Sequence, residues 1–283
     1  MKHNDSCGNY ALIGNPVGHS LSPRIHEQFA KQLDIPYSYT LLEPALADFE
    51  SCARDFFEKG GRGLNVTVPF KQQAVAFADD PSAAAAAAQS ANTLRLDKSG
   101  RIAACTTDGP GLLAALVRRR GWDLAEASIL VLGAGGAAAS VLGALLEHGR
   151  GPIFIANRNR DRAVQLCARF ADRDDCGRLH DCQLSEQELT AVGAECVINA
   201  TSAGLAGSLP PAARAGLQSA RFACDLAYGR QARPFLDLAG ECKVENLSDG
   251  LGMLIEQAAL ACAFWHQAMP DTEVLYQMLG EEN

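Results

Sequence analysis

Residues 129–140 read ILVLGAGGAAAS, an apolar run fit for a buried strand, then a Gly-x-Gly-x-x-Ala turn, then small residues fit for a helix. That order predicts a strand-turn-helix unit able to hold a dinucleotide. Gly133 permits the tight turn, Gly135 lets the backbone approach a pyrophosphate, and Ala138 allows close packing of helix on strand. The helix start beyond Gly136 presents N–H groups and a positive dipole end to phosphates. A glycine string alone can close an ordinary strand-helix unit. Here the strand before it, the helix after it and an apolar second strand at 153–156 all agree with a nucleotide site.

The end of that second strand selects the cofactor. It runs into Asn157-Arg158-Asn159-Arg160-Asp161-Arg162, with no carboxylate at the strand end to accept from ribose hydroxyls. Guanidinium groups suit a 2′-phosphate, which they bind in bidentate fashion. The plain alternative is routine surface charge at a helix start. NADP is expected, with NAD the weaker candidate.

The rest of the chain sets the context. Its 283 residues suggest two domains. Hydrophobic residues make up 48% and charged residues 20%, which places the chain among folded globular proteins. The net charge of −8 argues against a nucleic-acid surface, since phosphate neutralisation needs excess Lys and Arg. Ten cysteines are scattered without a C-x-x-C pair, and the six histidines lack metal-ligand spacing, so no metal is expected. The cysteines read as small buried residues of a reducing, cytoplasmic setting. The opening MKHNDSCGNY lacks the apolar core of a signal peptide. Residues 129–146 carry no charge, but their clustered Gly and Ala between Glu126 and Glu147 favour a buried strand and helix over a membrane span.

Ahead of the nucleotide unit, strands are expected at 10–13, 36–42 and 63–68, alternating with helices at 21–33, 49–59 and 70–77. Such alternation implies parallel pairing through crossover helices. The alanine run ending at Ala88 is explained by helix propensity. Residues 92–96 and 101–104 form a hairpin across Asp97-Lys98-Ser99-Gly100. Beyond the domain crossing near Asp108 come a helix at 112–119 and strands at 129–132, 153–156, 196–199, 222–226 and 243–245. Ser185-x-x-Glu188 reads as a capping box. A last long helix at 251–266 is expected to pack back on the first domain.

Several polar groups sit at the ends of these elements. In GLNVTVPFK, residues 63–71, Pro69 stops the strand, leaving Thr67 near its mouth and Lys71 in the first turn of the next helix. Ser20 and Ser22 lie on a loop entering a helix, placed to bind a carboxylate or to cap that helix. Asn92, Thr107 and Asp108 are further polar groups at strand ends. Gln257 lies one helical turn from Met253 on the last helix.

These residues carry a resemblance. The chain resembles the shikimate dehydrogenase family, which includes quinate/shikimate and aminoshikimate dehydrogenases. In the family's order it has GNPVGHSLSP at 14–23, NVTVPFK at 65–71, ANTL at 91–94, TDG at 107–109, GAGGAA at 133–138, NRN at 157–159, NATSAG at 199–204 and DGLGMLIEQAA at 249–259. The resemblance implies an α/β protein of two domains. Residues 1–107, completed by 250–283, would form the substrate-binding domain, and 108–249 a Rossmann-like NADP domain. It implies reversible interconversion of 3-dehydroshikimate and shikimate, with Lys71 and Asp108 as the catalytic pair; the alternatives are a paralogue specialised for quinate or aminoshikimate, or a non-catalytic NADP(H)-binding sensor. Ser20 and Ser22 would take the substrate carboxylate, and Thr67, Asn92, Tyr228 and Gln257 would complete the substrate set. Gly133, Ala134, Gly135, Gly136, Ala137, Asn157, Arg158, Arg162, Leu226 and Gly250 would hold the cofactor. The implied partner is a small-molecule substrate, with no nucleic acid and no membrane, for a cytoplasmic monomer or homodimer.

The chain departs from the family at four places. It has Thr106 ahead of Thr107-Asp108-Gly109 where NTDG is usual, and Asn159 where NRT is common. It has Gln89-Ser90-Ala91 before Asn92 in place of GAV, and DLAYG at 225–229 in place of D-x-V/F-Y-x-P. Lys71 and Asp108 are untouched by these changes, whereas substituent preference on the ring and cofactor affinity are exposed to them.

Overall fold

The computed structural model describes residues 8–201 and 209–280, which divide into two units. One runs to Thr107 and resumes at Ile255; the other is Asp108–Leu254.

The first unit contains β1 (Gly8–Ile13), α1 (Ser22–Leu33), β2 (Tyr37–Leu42), α2 (Phe49–Glu58), β3 (Gly61–Val66), α3 (Lys71–Phe77), β4 (Asp80–Pro81), α4 (Ala83–Ala88), β5 (Thr93–Leu96) and β6 (Ile102–Cys105). Its sheet order is β2-β1-β3-β5-β6-β4. The strands β1, β2 and β3 pair in parallel, as crossover helices require, and β5 joins β3 and β6 antiparallel, so the sheet is mixed. Asp97 closes the β5–β6 hairpin by accepting from the Ser99 and Arg101 N–H groups at 2.8 and 2.9 Å. Ile13, Leu64, Val66 and Leu94 from the strands meet Phe49 and Phe70 from the helical side in one apolar core. Ser82 starts the alanine helix, its Oγ accepting from Ala85 N at 3.2 Å.

The second unit begins with α5 (Asp108–Leu113), which passes into a π-helical stretch, Ala114–Arg119. There follow β7 (Ile129–Leu132), α6 (Gly136–His148), β8 (Ile153–Asn157), α7 (Arg160–Arg169), β9 (Leu179–Gln183), α8 (Glu186–Val192), β10 (Cys196–Asn199), α9 (Ala213–Leu217), β11 (Phe222–Asp225), α10 (Arg233–Glu241) and β12 (Asn246–Ser248). All its strand pairs are parallel, in the order β12-β11-β10-β7-β8-β9. Counted from β7, this is the doubly wound 3-2-1-4-5-6 arrangement, with the order reversing between β7 and β10. Gly109 lets α5 press onto α6, because a Cβ there would lie 2.7 Å from the Ala144 Cβ and 2.8 Å from the Ser140 carbonyl oxygen.

The chain returns through α11 (Leu251–His266), whose residues from Ile255 onward count with the first unit, followed by α12 (Glu273–Gly280). Trp265 seats α11 on the sheet: its ring fills the space a side chain at Gly63 would take, and its Nε1 donates to the Leu94 carbonyl at 2.9 Å.

Three expectations need correction. The strand expected at 243–245 forms at Asn246–Ser248 instead, because Lys243 takes a left-handed φ of 63° and, with Val244, bonds back onto the end of α10. Polar β9 was not anticipated; it is an edge strand whose LHDCQ sequence buries only Cys182 and gives no apolar alternation. The helix expected at 112–119 starts earlier, at Asp108. At the capping box, Ser185 Oγ does accept from Glu188 N, but the Glu188 carboxylate reaches Gln183 N. Among the described residues, no helix is long and apolar enough to cross a membrane.

Candidate active site

In the first unit the loop after β1 is pinned from several sides. Gly14 N donates to the Leu42 carbonyl at 3.1 Å, Asn15 Nδ2 to the Pro44 carbonyl at 2.9 Å, and Val17 N to Glu43 Oε2 at 2.9 Å. A side chain at Gly14 would collide with Thr67 and Val17, so the glycine lets two strand-end loops approach. The loop delivers Ser20 to the start of α1. Ser20 Oγ accepts from Ser22 N at 3.2 Å and lies 3.1 Å from Ser22 Oγ, to which it donates. Ser20 thus takes the helix-start N–H while the two hydroxyls stay adjacent.

Thr67 lies one residue beyond β3, its N–H on the Ile13 carbonyl at 2.9 Å and its carbonyl accepting from Phe70 N at 2.9 Å. Phe70 is buried and stacks on Phe49 with ring centroids 5.2 Å apart. That anchor fixes where α3 starts, and hence Lys71, a half-buried residue at its first position.

A buried amide cluster lies alongside. Asn92 Nδ2 donates to Thr107 Oγ1 at 2.8 Å and to Gln257 Oε1 at 3.0 Å. Asn92 Oδ1 accepts from Thr107 N at 2.8 Å and from Thr93 Oγ1 at 3.2 Å. Both donors and both lone pairs of this amide are therefore engaged. Asn65 extends the cluster, its Nδ2 donating to the Asn92 carbonyl at 3.2 Å and to Thr93 Oγ1 at 3.1 Å, while its Oδ1 accepts from Tyr39 Oη at 2.7 Å. The sequence reading did not single out Asn65, Tyr39 or Thr93. The available signal was a polar Asn65 between buried Leu64 and Val66 in the strand.

In the second unit the glycine turn lies at the point where strand order reverses. Gly133 has φ 108°, and a Cβ there would lie 3.0 Å from the Ala200 carbonyl oxygen and 3.2 Å from Thr201 Cγ2. Gly135 and Gly136 have open space where a Cβ would be, and no side chain caps α6. The turn therefore offers bare backbone and helix-end N–H groups to an approaching anion. Asn157 ends β8, its Nδ2 donating to the Asn159 carbonyl at 2.8 Å. The arginines behind it divide by their partners. All three are exposed, and Arg160 pairs with Asp181 at 2.8 Å.

Opposite this turn, Asn199 Nδ2 donates to Asp225 Oδ2 at 2.7 Å, and Thr201 Oγ1 donates to Asn199 Oδ1 at 2.7 Å. Asp225 Oδ1 also accepts from Ala227 N at 2.8 Å. Burial pushes the Asp225 carboxyl up to about 6, against the pull of those two bonds and with Asp249 adding to the rise. Asp249 accepts from Gly229 N and Leu251 N, both at 3.0 Å, which fixes the segment carrying Leu226 and Tyr228 against Gly250. A side chain at Gly250 would strike the Leu226 carbonyl. Asp108 is buried at the first position of α5. Ser202, Ala203 and Gly204 of the NATSAG segment lie outside the described residues. Burial pushes the Cys196 thiol up to about 12 and the Cys262 thiol to about 11, which suits them as packing residues and not as nucleophiles.

Three family models match the chain: shikimate dehydrogenase substrate binding domain at residues 12–94, shikimate / quinate 5-dehydrogenase at 115–249, and shikimate 5'-dehydrogenase C-terminal domain at 250–278. The chain is 41% identical to a shikimate dehydrogenase (NADP(+)) of Nitrosomonas europaea over 274 residues, 96% of each protein. It is 40% identical to a shikimate dehydrogenase (NADP(+)) of Marinobacter nauticus over 277 residues, 95% of this chain and 97% of the relative. Among solved structures, an Ael1 enzyme from Pseudomonas putida superposes with a TM-score of 0.87 at 39% identity, covering 96% of this chain and 98% of that one. A Thermus thermophilus shikimate 5-dehydrogenase in complex with NADP(H) and shikimate superposes with a TM-score of 0.81 at 30% identity, covering 95% and 97%.

Proposed function

Since the chain belongs to the shikimate dehydrogenase family, we propose that it catalyses the reversible NADPH-dependent reduction of 3-dehydroshikimate to shikimate. The observation that carries the reading is the first unit's amide and hydroxyl cluster, Asn65-Thr93-Asn92-Thr107-Gln257. Its groups are interlocked and buried, the arrangement needed to discriminate a substrate rich in hydroxyls, because a site built for hydrogen bonds rejects analogues that leave it unpaired.

We assign the carboxylate to Ser20 and Ser22, whose paired hydroxyls stand at the N-terminus of α1, where a helix favours negative charge. Thr67, Asn92, Tyr228 and Gln257 are assigned to the ring substituents. All four positions of the Asn92 amide are engaged, so its contact with a substrate hydroxyl requires Thr107 or Gln257 to give up a bond. Lys71 takes the proton from the C3 hydroxyl during oxidation and returns it in reduction, directly or through a water. Asp108 orients that lysine and the hydroxyl. NADP, when bound, accepts or supplies the hydride at the nicotinamide ring. The turn of Gly133, Ala134, Gly135, Gly136 and Ala137, open at Gly135 and Gly136, fits its pyrophosphate. Arg158 and Arg162 suit the 2′-phosphate and Asn157 the ribose, while Leu226 and Gly250 are assigned to the nicotinamide end. The reading includes a cytoplasmic setting, action as a monomer or homodimer, and no nucleic-acid or membrane partner.

Steady-state kinetics with shikimate, quinate and aminoshikimate, each with NADP and NAD, test it. Shikimate with NADP should give the highest kcat/KM of the six combinations. A higher value for quinate or aminoshikimate would replace the substrate assignment. No turnover of any of them would end the proposal.

A further inference from the structure

Tyr39 lies outside the residues assigned above, yet it joins two of them. It sits on β2, and its Oη donates to Asn65 Oδ1 at 2.7 Å. The side chain of Ser22 lies beside the same phenol, within hydrogen-bonding reach. Since the phenol proton lies on Asn65, the Ser22 hydroxyl is the donor to Tyr39. The hydroxyls and amides thus form one directed path. Ser20 donates to Ser22, Ser22 to Tyr39, Tyr39 to Asn65, and Asn65 to Thr93 Oγ1 and the Asn92 carbonyl.

The ring that carries this hydroxyl is held from behind. His26 stacks on it with centroids 4.2 Å apart and planes within 8°. The imidazole is itself fully buried, 3.2 Å from Tyr37 Oη through its Nδ1, while Tyr37 Oη donates to the His26 carbonyl at 2.8 Å. Trp265 packs 5.2 Å away on the same imidazole. A tyrosine has two side-chain torsions, and here both are fixed by the stack and the two hydrogen bonds.

We propose that Tyr39 is a positioning residue for the substrate: one phenol holds Ser22 at the carboxylate end and Asn65 at the ring-hydroxyl end, keeping the two ends of recognition in register. This inference rests on the shikimate reading of the first unit. A carboxylate only accepts, so on arrival it takes the Ser22 proton that otherwise points at Tyr39. In the free protein the phenol oxygen fixes the rotamer from which Ser22 makes that exchange. Without it, Ser22 rotates and Asn65 Oδ1 is left buried with no donor.

Tyr39→Phe should raise KM for shikimate about tenfold, with kcat changed far less and KM for NADP unchanged, the pattern of lost ground-state positioning. In a Ser22→Ala background the same substitution should add little, because both act on one bond. Unchanged KM for shikimate in Tyr39→Phe, or fully additive effects in the double variant, would overturn the positioning role while leaving wild-type turnover of shikimate intact. Absence of wild-type turnover, by contrast, is a failure of the functional reading itself. Should Tyr39→Phe not fold, 3-fluorotyrosine placed at position 39 keeps ring and hydroxyl. Its fluorine resonance should shift on saturation with shikimate and stay still in the Ser22→Ala protein; a signal indifferent to shikimate in the parent protein would also overturn the role.

Discussion

The side-chain amide of Asn92 donates to Gln257 Oε1 at 3.0 Å, joining two residues 165 positions apart in the sequence. The bond ties the start of β5 to α11, and its energetics are unequal from the two sides. Gln257 Oε1 accepts from Asn92 and, at 3.3 Å, from Thr107 Oγ1, whereas Asn92 uses both ends of its amide on Gln257, Thr107 and Thr93. Asn92→Ala should lower the unfolding free energy by about 2–4 kcal/mol, because several buried groups lose partners together, and Gln257→Ala by about 1 kcal/mol. Urea unfolding measures both. Equal losses would mean that Asn92 is not the hub of the cluster.

The glycine turn separates folding from binding at neighbouring positions. Gly133 has φ 108° and a carbonyl oxygen 3.0 Å from where a Cβ would be, so Gly133→Ala should destabilise by roughly 1–3 kcal/mol. Gly135 has an extended φ of −92° and open space around it. Gly135→Ala should therefore fold with near-native stability and raise KM for NADP, since the methyl occupies the space a pyrophosphate needs. A Gly135→Ala protein with unaltered KM for NADP would remove the phosphate from this turn.

The three arginines after β8 should not behave alike. Arg160, exposed like Arg158 and Arg162, is committed to Asp181. Arg158→Ala or Arg162→Ala should raise KM for NADP by about tenfold or more with little effect on NAD, as expected for loss of charge-assisted bonds to a phosphate. Arg160→Ala should leave the ratio of NADP to NAD use near the wild-type value. Isothermal titration with the two cofactors gives the comparison directly.

Lys71 is fixed by Phe70, which is buried against Phe49 at the foot of α3. Lys71→Met keeps the length of the side chain and removes the proton acceptor. It should reduce kcat about 10²–10⁴-fold, the usual range for a general acid-base group, with a smaller change in KM. A kcat within a few fold of wild type would move the proton chemistry to another group.

The nucleotide unit was readable because its signals are local. Strand, turn and helix occupy twelve consecutive residues, and Gly133 announces its φ by being glycine. The strands β1, β3, β7 and β10 were likewise legible as apolar runs. The edge strand β9 was not, since LHDCQ lacks an apolar alternation, and β12 was misplaced because buried Val244 made 243–245 look like a strand although Lys243 turns left-handed there. The amide cluster was legible only as separate polar letters. Which of them meet depends on the β3–β5 register, which sets Asn65 opposite Thr93, and on α11 arriving from the far end of the chain.

The two units should answer acid in opposite directions. Burial holds the His26 imidazole down to about 3, below the ordinary 6.5, so the unfolded chain binds that proton more readily. Its contribution to the first unit is complete above pH 6.5 and declines as pH falls from there toward 3. His266, also lowered by burial, acts in the same sense. The Asp225 carboxyl is raised to about 6 from 3.8, so the folded second unit binds its proton more readily than the unfolded chain. Its ionised form costs roughly 3 kcal/mol above pH 6, and the cost disappears as pH falls from 6 toward 3.8. Carboxyls held below the usual range, such as Asp174, stay ionised at pH 5 and do not blur the comparison. Between pH 7 and 5, amide exchange corrected for its intrinsic rate should quicken in β1, β2 and α1 and slow in β10 and β11. His26→Phe should remove the first response and Asp225→Asn the second. A change of the same sign in both units would contradict the assignment of these two groups.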